Sequence, residues 1–564
     1  MINIKINNNH LEVEEKTTIL EASKMINEKI PTLCYLKKIN NNSSCRICVV
    51  EVKGNSNLVP SCSTEVYENM EIFTNTEKVR NAVKSNLELI ASKHNNCEEC
   101  HKDNNCKLQN LLNDYNVETS SNDLESKIDD SSLSIVRDNN KCILCNRCVS
   151  VCKEIQSIAV IGKNKRGYNT TIGFAFDVDI KNSTCISCGQ CILVCPTGAL
   201  REKSEIEKVE TALNNNELHT VVMTAPSVRF ALGEEFGIEL GVNVKGKMVS
   251  GLKALKFQKV FDMNIGADFT IMEEVAELIK RIKSPKKLPM FTSCCPSWVK
   301  YVEMYYPEMI KNLSTCKSPQ QMLGSIIKTY YAKINNIDPK NIFVVSVVPC
   351  VAKKFEKENE TNLLYPDIDS VITTRELSKL MKKNNININL LEDSEYDNPL
   401  GSGASVMFGS GGGVMETALR TFIEIKTKKP LEKLEFNELR GFAGIKEATL
   451  KVKNKEIKVA VVSGIKNAKI ILEKIKNKEV DYHFVEFMSC SNGCVNGGGQ
   501  PLVDFDKYDW DEVKSLRTKS LIEEDRNLEI RKAHENPDIK KIYSSYLIKP
   551  GSKKSKEILH RKYK

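Results

Sequence analysis

No stretch of this chain holds the roughly 20 consecutive apolar residues needed to cross a bilayer, so no segment reads as membrane-spanning. Residues 1–9 alternate apolar and polar side chains and show neither the apolar core nor the cleavage site of a secretory leader, which predicts a cytoplasmic protein. The glycine-rich stretches contain no G-x-G-x-x-G, and no GK[ST] follows them, which argues against a phosphate cradle. No flavin or nicotinamide motif is visible, so direct NADH oxidation would need a partner subunit.

What the chain has in quantity is cysteine, 21 residues in 564. In a reducing compartment, Cys-x2-Cys spacings favour metal over disulfides, because neighbours three residues apart make poor staples. Cys142, Cys145, Cys148 and Cys152 form one run, and Cys185, Cys188, Cys191 and Cys195 repeat it with a following Pro196. This is a two-cluster ferredoxin signature, in which the fourth cysteine of each run ligates the other cluster. One [4Fe-4S] cluster then uses Cys142, Cys145, Cys148 and Cys195, and the second uses Cys185, Cys188, Cys191 and Cys152.

Upstream, residues 1–78 read as strand (Ile2 to Ile6), strand (Leu11 to Val13) and a helix opened by Thr17 or Thr18, an order suited to a β-grasp module. It carries Cys34, Cys45, Cys48 and Cys62, which suit a [2Fe-2S] cluster, with structural zinc as the less favoured alternative. Residues 79–134 begin as a helix and reach His94, Cys97, Cys100 and Cys106. An imidazole can fill the corner that three thiolates leave open. His101 is a poorer geometric substitute. An Asn/Asp/Ser-rich linker follows from about residue 113 to 134.

The formal charge of +9 would ordinarily suggest nucleic acid or an acidic surface. Thiolate-bound clusters carry negative charge, and the accessory clusters together would supply roughly −7, so the loaded protein is nearer neutral. No nucleic-acid or membrane partner is therefore expected, and the Lys-rich faces suit an acidic redox protein.

From about residue 206 the texture becomes α/β. Three strand candidates end at cysteine: Leu288 to Phe291 before Cys294 and Cys295, Phe343 to Val348 before Cys350, and Asp481 to Met488 before Cys490 and Cys494. A fourth, Val221 to Met223, ends at Ala225-Pro226-Ser227. Ligands gather beyond the carboxyl ends of such strands, so four converging ends would build one buried metal pocket.

Three segments carry the most specific pattern: Phe291-Thr-Ser-Cys-Cys-Pro-Ser-Trp298, Val348-Pro-Cys-Val-Ala-Lys-Lys-Phe-Glu356, and Glu486 through Pro501 with Cys490 and Cys494. Together they resemble the signature segments of [FeFe]-hydrogenases, and the upstream modules resemble the accessory-cluster arrangement of the monomeric clostridial type. The resemblance implies an α+β multi-domain protein: a plant-type-like [2Fe-2S] β-grasp module (1–78), a His/Cys cluster module with linker (79–134), a two-[4Fe-4S] ferredoxin module (135–205), a two-lobed α/β catalytic domain (206–504) and a C-terminal helical belt (505–564). It implies reversible reduction of protons to hydrogen with ferredoxin as electron partner.

The same resemblance assigns Cys295, Cys350, Cys490 and Cys494 to a [4Fe-4S] cubane, with Cys494 bridging to a two-iron subsite that carries carbon monoxide, cyanide and an azadithiolate. Together these form the H-cluster, and its ligands imply dedicated maturation proteins. Cys294 resembles the family's proton-donating thiol, followed by Glu274, Ser314, Glu277 and a surface end at Arg281. Glu274, Glu277 and Arg281 also share one helical face by their spacing. Lys353 resembles a lysine that pairs with cyanide, while Ala225, Pro226, Ser227, Gln320 and Met488 match positions around the subsite.

The chain departs from the family pattern at Val348, where Met is common, in a His94-to-Cys97 gap one residue short, and in the absence of a Pro after Cys152. The glycines at 401–403 and 409–413 are expected to let backbone approach the inorganic group. Cys316 reads as a small buried hydrophobe. The Lys-rich segment 553–564 reads as frayed. An alternative function is a non-catalytic iron-sulfur assembly or hydrogen-sensing protein on the same scaffold. An electron-transfer subunit like that of NADH dehydrogenases leaves the three segments after residue 290 unexplained.

Overall fold

The computed structural model describes residues 1–94, 106–118, 127–358 and 364–563, arranged in two compact units. The first comprises residues 1–185 and 190–201, and the second comprises 186–189 and 202–564.

In the first unit, strands β1 (Ile2–Ile6), β2 (Asn9–Val13), β3 (Val49–Val52), β4 (Val59–Pro60) and β5 (Met70–Phe73) form a sheet of order β2-β1-β5-β3-β4. β1 pairs antiparallel with β2 and parallel with β5, the β-grasp arrangement expected from the sequence. The helix Ile19–Met25 packs Ile19 and Ala22 onto this sheet, and Thr18 with Glu21 closes a capping box at its start. The helix Glu77–Ala91 buries Val79, Val83, Leu87 and Ala91, one face at helical spacing. Short strands β6 (Ile128–Asp129) and β7 (Ile135–Asp138) and the hairpin β8 (Ile161–Asn164) and β9 (Thr171–Phe174) complete the unit, with β10 (Leu200–Glu202) straddling its boundary.

The second unit holds two four-stranded sheets. One has order β12-β11-β14-β15, from β11 (His219–Thr224), β12 (Lys259–Asp262), β14 (Ile342–Val348) and β15 (Ser370–Thr373), all parallel. Its strands are almost wholly buried, and β14 is an apolar run broken only by Ser346, as a parallel sheet covered on both faces requires. The other has order β13-β18-β17-β16, from β13 (Met290–Phe291), β16 (Ile445–Val452), β17 (Lys455–Ser463) and β18 (Phe484–Met488). β13 and β17 run parallel to β18, and β16 is antiparallel to β17. The expected strand ends therefore all exist. β11 and β14 deliver theirs from one sheet, and β13 and β18 from the other.

The 20-residue helix Asn264–Lys283 is buried along most of its first three turns. Trp298 stacks on Phe487 at 3.9 Å and donates to the Thr292 carbonyl, which fixes the turn between β13 and the helix Pro296–Tyr305.

The C-terminal segment differs from the expectation of fraying. Lys553–Leu559 is a helix capped by Ser552, with Ser555, Ile558 and Leu559 buried. The lysines occupy only its outer face, so lysine count misread an amphipathic helix. Beyond it, His560 bridges antiparallel to Cys316, supported by Lys317 N–H to the Leu559 carbonyl (2.9 Å) and Arg561 N–H to the Thr315 carbonyl (2.8 Å).

Candidate metal centre and proton relay

In the first unit the thiols of Cys34 and Cys45 lie within hydrogen-bonding reach of each other, as do those of Cys48 and Cys62. The shared proton lowers Cys45 and Cys62 while raising their partners, so these four residues gather a ready set of soft donors. Cys142, Cys145, Cys148 and Cys195 line a second cavity of about 510 Å³ with Ile143, Ile161, Ile172 and Phe174. That is the crossed-over set the spacing predicts. Burial pushes Cys142 up to about 11 and Cys145 up to about 12. Of the other run, Cys152, Cys185 and Cys191 belong to the first unit and Cys188 to the second. His94 is buried with Nδ1 lacking a partner among the described residues, and burial then Lys141 lower its pKa, which suits a neutral ligand imidazole. Cys106 is half-buried, whereas Cys97, Cys100 and His101 lie outside the described residues.

In the second unit a cavity of about 810 Å³ opens at the four strand ends. Its wall includes Cys295, Cys350, Cys490 and Cys494, together with Cys294, Lys353, Ala225, Pro226, Ser227, Gln320, Val348 and Met488. Burial raises Cys350 to about 12 and raises Cys490 and Cys494 further, each thiolate also opposing the others. Such a crowd of soft donors is stable as thiols, or as thiolates once a multivalent iron cluster supplies the positive charge. Ser227 Oγ, buried on this wall, has no hydrogen-bond partner among the described residues, as a group reserved for a polar ligand would. The residues present thus fit an iron-sulfur centre with further polar ligands.

Lys353 Nζ donates to the Cys294 carbonyl (3.1 Å) and to Glu356 Oε2 (2.8 Å). Burial opposes its charge, but Glu356 and the nearby thiols outweigh that and hold its pKa above the usual lysine value. Glu356 is 1% exposed and also accepts from Ser318 and Gln320. Gln320 in turn accepts from Ser346 of β14 through Oε1. Sequence reading missed Glu356, although its i+3 position after Lys353 was the available signal.

Cys294 is buried, and burial followed by the Glu274 carboxyl raises its pKa well above the ordinary thiol range. Glu274 is pushed up to about 8 by burial and by Glu277, only partly offset by the Ser314 hydroxyl and the Ser293 backbone. Neither of its carboxyl oxygens has a full hydrogen-bond partner among the described residues. Both groups therefore hold protons near neutrality. Ser314 Oγ lies 3.5 Å from Glu277 Oε2, and Arg281 lies 2.6 Å from Glu277 Oε1. Burial would raise Glu277, but Arg281 and Thr315 outweigh it and hold this carboxyl below its usual value. Arg281 is only 6% exposed, clasped by the carbonyls of Asn312 and Leu313, so the expected surface end is interior.

One further expectation changes. Gly409 lines the cavity, but Gly411 to Gly413 press against protein: a Cβ on Gly413 would collide with the Met407 carbonyl oxygen. Glu486 accepts the Gly412 and Met415 amides at the start of the helix Gly413–Thr427, so a carboxyl occupies that amide nest. Cys316 is buried in the hydrophobic core as expected, and its Sγ also lies 3.8 Å from Glu277 Oε2 and 4.0 Å from His560 Nε2.

The folds and thiol sets define an iron-sulfur oxidoreductase with a cofactor pocket at converging strand ends. Residues 218–498 match the C-terminal domain of the iron only hydrogenase large subunit, and 511–564 match the iron hydrogenase small subunit. Residues 1–77 match a 2Fe-2S iron-sulfur cluster binding domain and 141–199 a 4Fe-4S dicluster domain. The chain is 44% identical to iron hydrogenase 1 of Clostridium pasteurianum over the full length of both, and 43% identical to the NADP-reducing hydrogenase subunit HndD of Solidesulfovibrio fructosivorans over 100% of this chain and 99% of that one. A solved variant of the [FeFe]-hydrogenase HydA1 of Chlamydomonas reinhardtii is 36% identical, with a TM-score of 0.57 over 64% of this chain and 99% of that one. The chain belongs to the [FeFe]-hydrogenase family, and it is of the clostridial type with iron-sulfur domains. Among the described residues no helix is long and apolar enough to cross a membrane.

Proposed function

We propose that the chain catalyses 2H⁺ + 2e⁻ ⇌ H₂ with reduced ferredoxin as electron donor or acceptor, working as a cytoplasmic monomer. The carrying observation is that Cys294, on the wall of the thiol-lined cavity, and Glu274 behind it are both buried groups that hold protons near neutrality.

The cofactor set in this reading is one [2Fe-2S] on Cys34, Cys45, Cys48 and Cys62, and three accessory [4Fe-4S] clusters. These sit on His94, Cys97, Cys100 and Cys106, and on the two crossed-over cysteine sets. Cys295, Cys350, Cys490 and Cys494 would hold the H-cluster cubane, whose diiron subsite comes from maturation proteins. When bound, that subsite would supply the redox chemistry that joins protons and electrons. The chain's own residues do the rest. Lys353 and the Ser227 hydroxyl, which has no partner among the described residues, would offer donors to its polar ligands, Met488 and Val348 exclude water from the pocket, and Cys294 passes a proton inward. Glu274 reprotonates the thiol, and Ser314 and Glu277 resupply Glu274.

The test is infrared spectroscopy of maturase-coexpressed protein in the carbonyl and cyanide stretching region, beside a viologen-driven hydrogen assay. Sharp bands with gas turnover are expected. Bands without turnover in either direction would favour the assembly or sensing alternative.

A further inference from the structure

On the hydrogenase reading, a relay that stops at Arg281 lacks an end that can exchange a proton. A guanidinium stays protonated throughout the working pH range, so Arg281 can hold Glu277 but cannot hand it a proton. The second carboxyl oxygen of Glu277 leads elsewhere. Oε2 accepts from the Thr315 amide (3.0 Å) and the Thr315 hydroxyl (2.9 Å). Thr315 Oγ1 also lies 2.7 Å from His560 Nδ1. A hydroxyl has one proton, and an ionised carboxylate can only accept, so the imidazole must donate to the threonine when Glu277 is charged.

Beyond the ring, His560 Nε2 lies 2.9 Å from Glu273 Oε2, which also accepts from the Gly551 amide (2.8 Å). Glu273 Oε1 accepts from the Tyr543 hydroxyl (2.7 Å). The groups facing His560 are therefore Glu273 and Glu277 on the helix Asn264–Lys283, Thr315 and Cys316 on the bridged segment, and Tyr543 behind Glu273. Arg561 and Tyr563 lie on its own segment.

We propose that His560, itself only 6% exposed, acts through the Thr315 hydroxyl as the next proton-carrying group of the relay beyond Glu277. In the transfer a ring protonated on both nitrogens, its Nε2–H held by Glu273, breaks its Nδ1–H bond as a bond to Thr315 Oγ1 forms. The threonine's original O–H bond breaks as Glu277 Oε2 gains its proton, and a neutral Nε2–H imidazole is left. No electrons move, and the reverse sequence returns a proton from Glu277. His560 is thus a positioning and exchanging residue rather than a catalytic one.

Thr315→Val and His560→Gln should each lower hydrogen turnover about tenfold or more, while Thr315→Ser stays near the parent. The double variant should fall no further than the worse single, because both break one wire. The carbonyl and cyanide bands should not shift, and the pH–rate profile should change shape rather than only height. Independently of turnover, 15N spectra of histidine-labelled protein lacking the diiron subsite should show the His560 Nδ1 signal moved by Thr315→Val and kept by Thr315→Ser.

Turnover within twofold of the parent in both Thr315→Val and His560→Gln would overturn the proposal. So would loss in His560→Gln alone, since the ring would then only support the fold. A parent with neither bands nor turnover would sink the hydrogenase reading instead. The labelled spectra still decide the wire in that case, because an Nδ1 signal indifferent to Thr315→Val overturns it.

Discussion

Lys353 Nζ lies 2.8 Å from Glu356 Oε2, and the pair sits at the cavity wall with side chains 12% and 1% exposed. The carboxylate lets a permanently charged amine stand beside a crowd of thiols. Removing one partner of a buried pair leaves the other uncompensated, at a cost of about 3–5 kcal/mol. Glu356→Gln should therefore lower the thermal midpoint of the second unit and reduce subsite loading. Both tryptophans, Trp298 and Trp510, belong to this unit, so fluorescence of protein lacking the subsite reads the effect there. An unchanged midpoint with full infrared band intensity would remove Glu356 from this role.

Cys294→Ala should leave the carbonyl and cyanide bands nearly intact while turnover collapses by at least about a hundredfold. The thiol is expected to move protons rather than hold iron. Retained turnover would take it off the route, and lost bands would make it structural.

Glu274 gives a signed pH dependence. Its carboxyl is raised from 4.5 to about 8 in the fold, so the folded state keeps a proton that the unfolded chain gives up first. The stability associated with that retained proton is fully present below about pH 4.5 and is lost as pH rises through about 8, amounting to a few kcal/mol. Calorimetry across this window should show a falling midpoint in the parent and a flatter curve in Glu274→Gln. Parallel curves would contradict the buried, proton-holding carboxyl.

Iron content tests the thiol sets one at a time. With the proposed cofactor set the inventory would be about twenty irons, and Cys195→Ala should remove about four if Cys142, Cys145, Cys148 and Cys195 hold one cluster. Cys34→Ala should remove about two and leave the [4Fe-4S] signals intact in paramagnetic resonance. Loss of about two irons from Cys195→Ala would instead point to a different pairing of ligands.

The legible part of this molecule was local in sequence. Thiol spacings such as Cys142 to Cys145 and Cys145 to Cys148 are each about one turn of backbone, and strands such as Ile342–Val348 announce themselves as apolar runs ending at a cysteine. Glu274, Glu277 and Arg281 could be grouped because one helix carries them. What escaped depends on distant pairing. His560 reaches Thr315 across 245 positions, and no periodicity in the Lys-rich segment hints at that contact. Glu486 was quoted within a motif, but its grip on the Gly412 amide 74 positions away needed the second sheet to form. Burial of Arg281 likewise depends on the carbonyls of Asn312 and Leu313, which arrive from another loop.

Within the second unit, a Cβ on Gly498 would lie 2.6 Å from the Cys188 carbonyl oxygen and 2.6 Å from Gly189 Cα. Main chain therefore meets main chain at Gly498, where the Cys188–Gly189 backbone touches the loop that begins at Cys494. The Val351 side chain also closes on Gly189, where an added Cβ would lie 2.5 Å from its Cγ2. Any side chain placed on Gly498 would therefore have to force the two backbones apart.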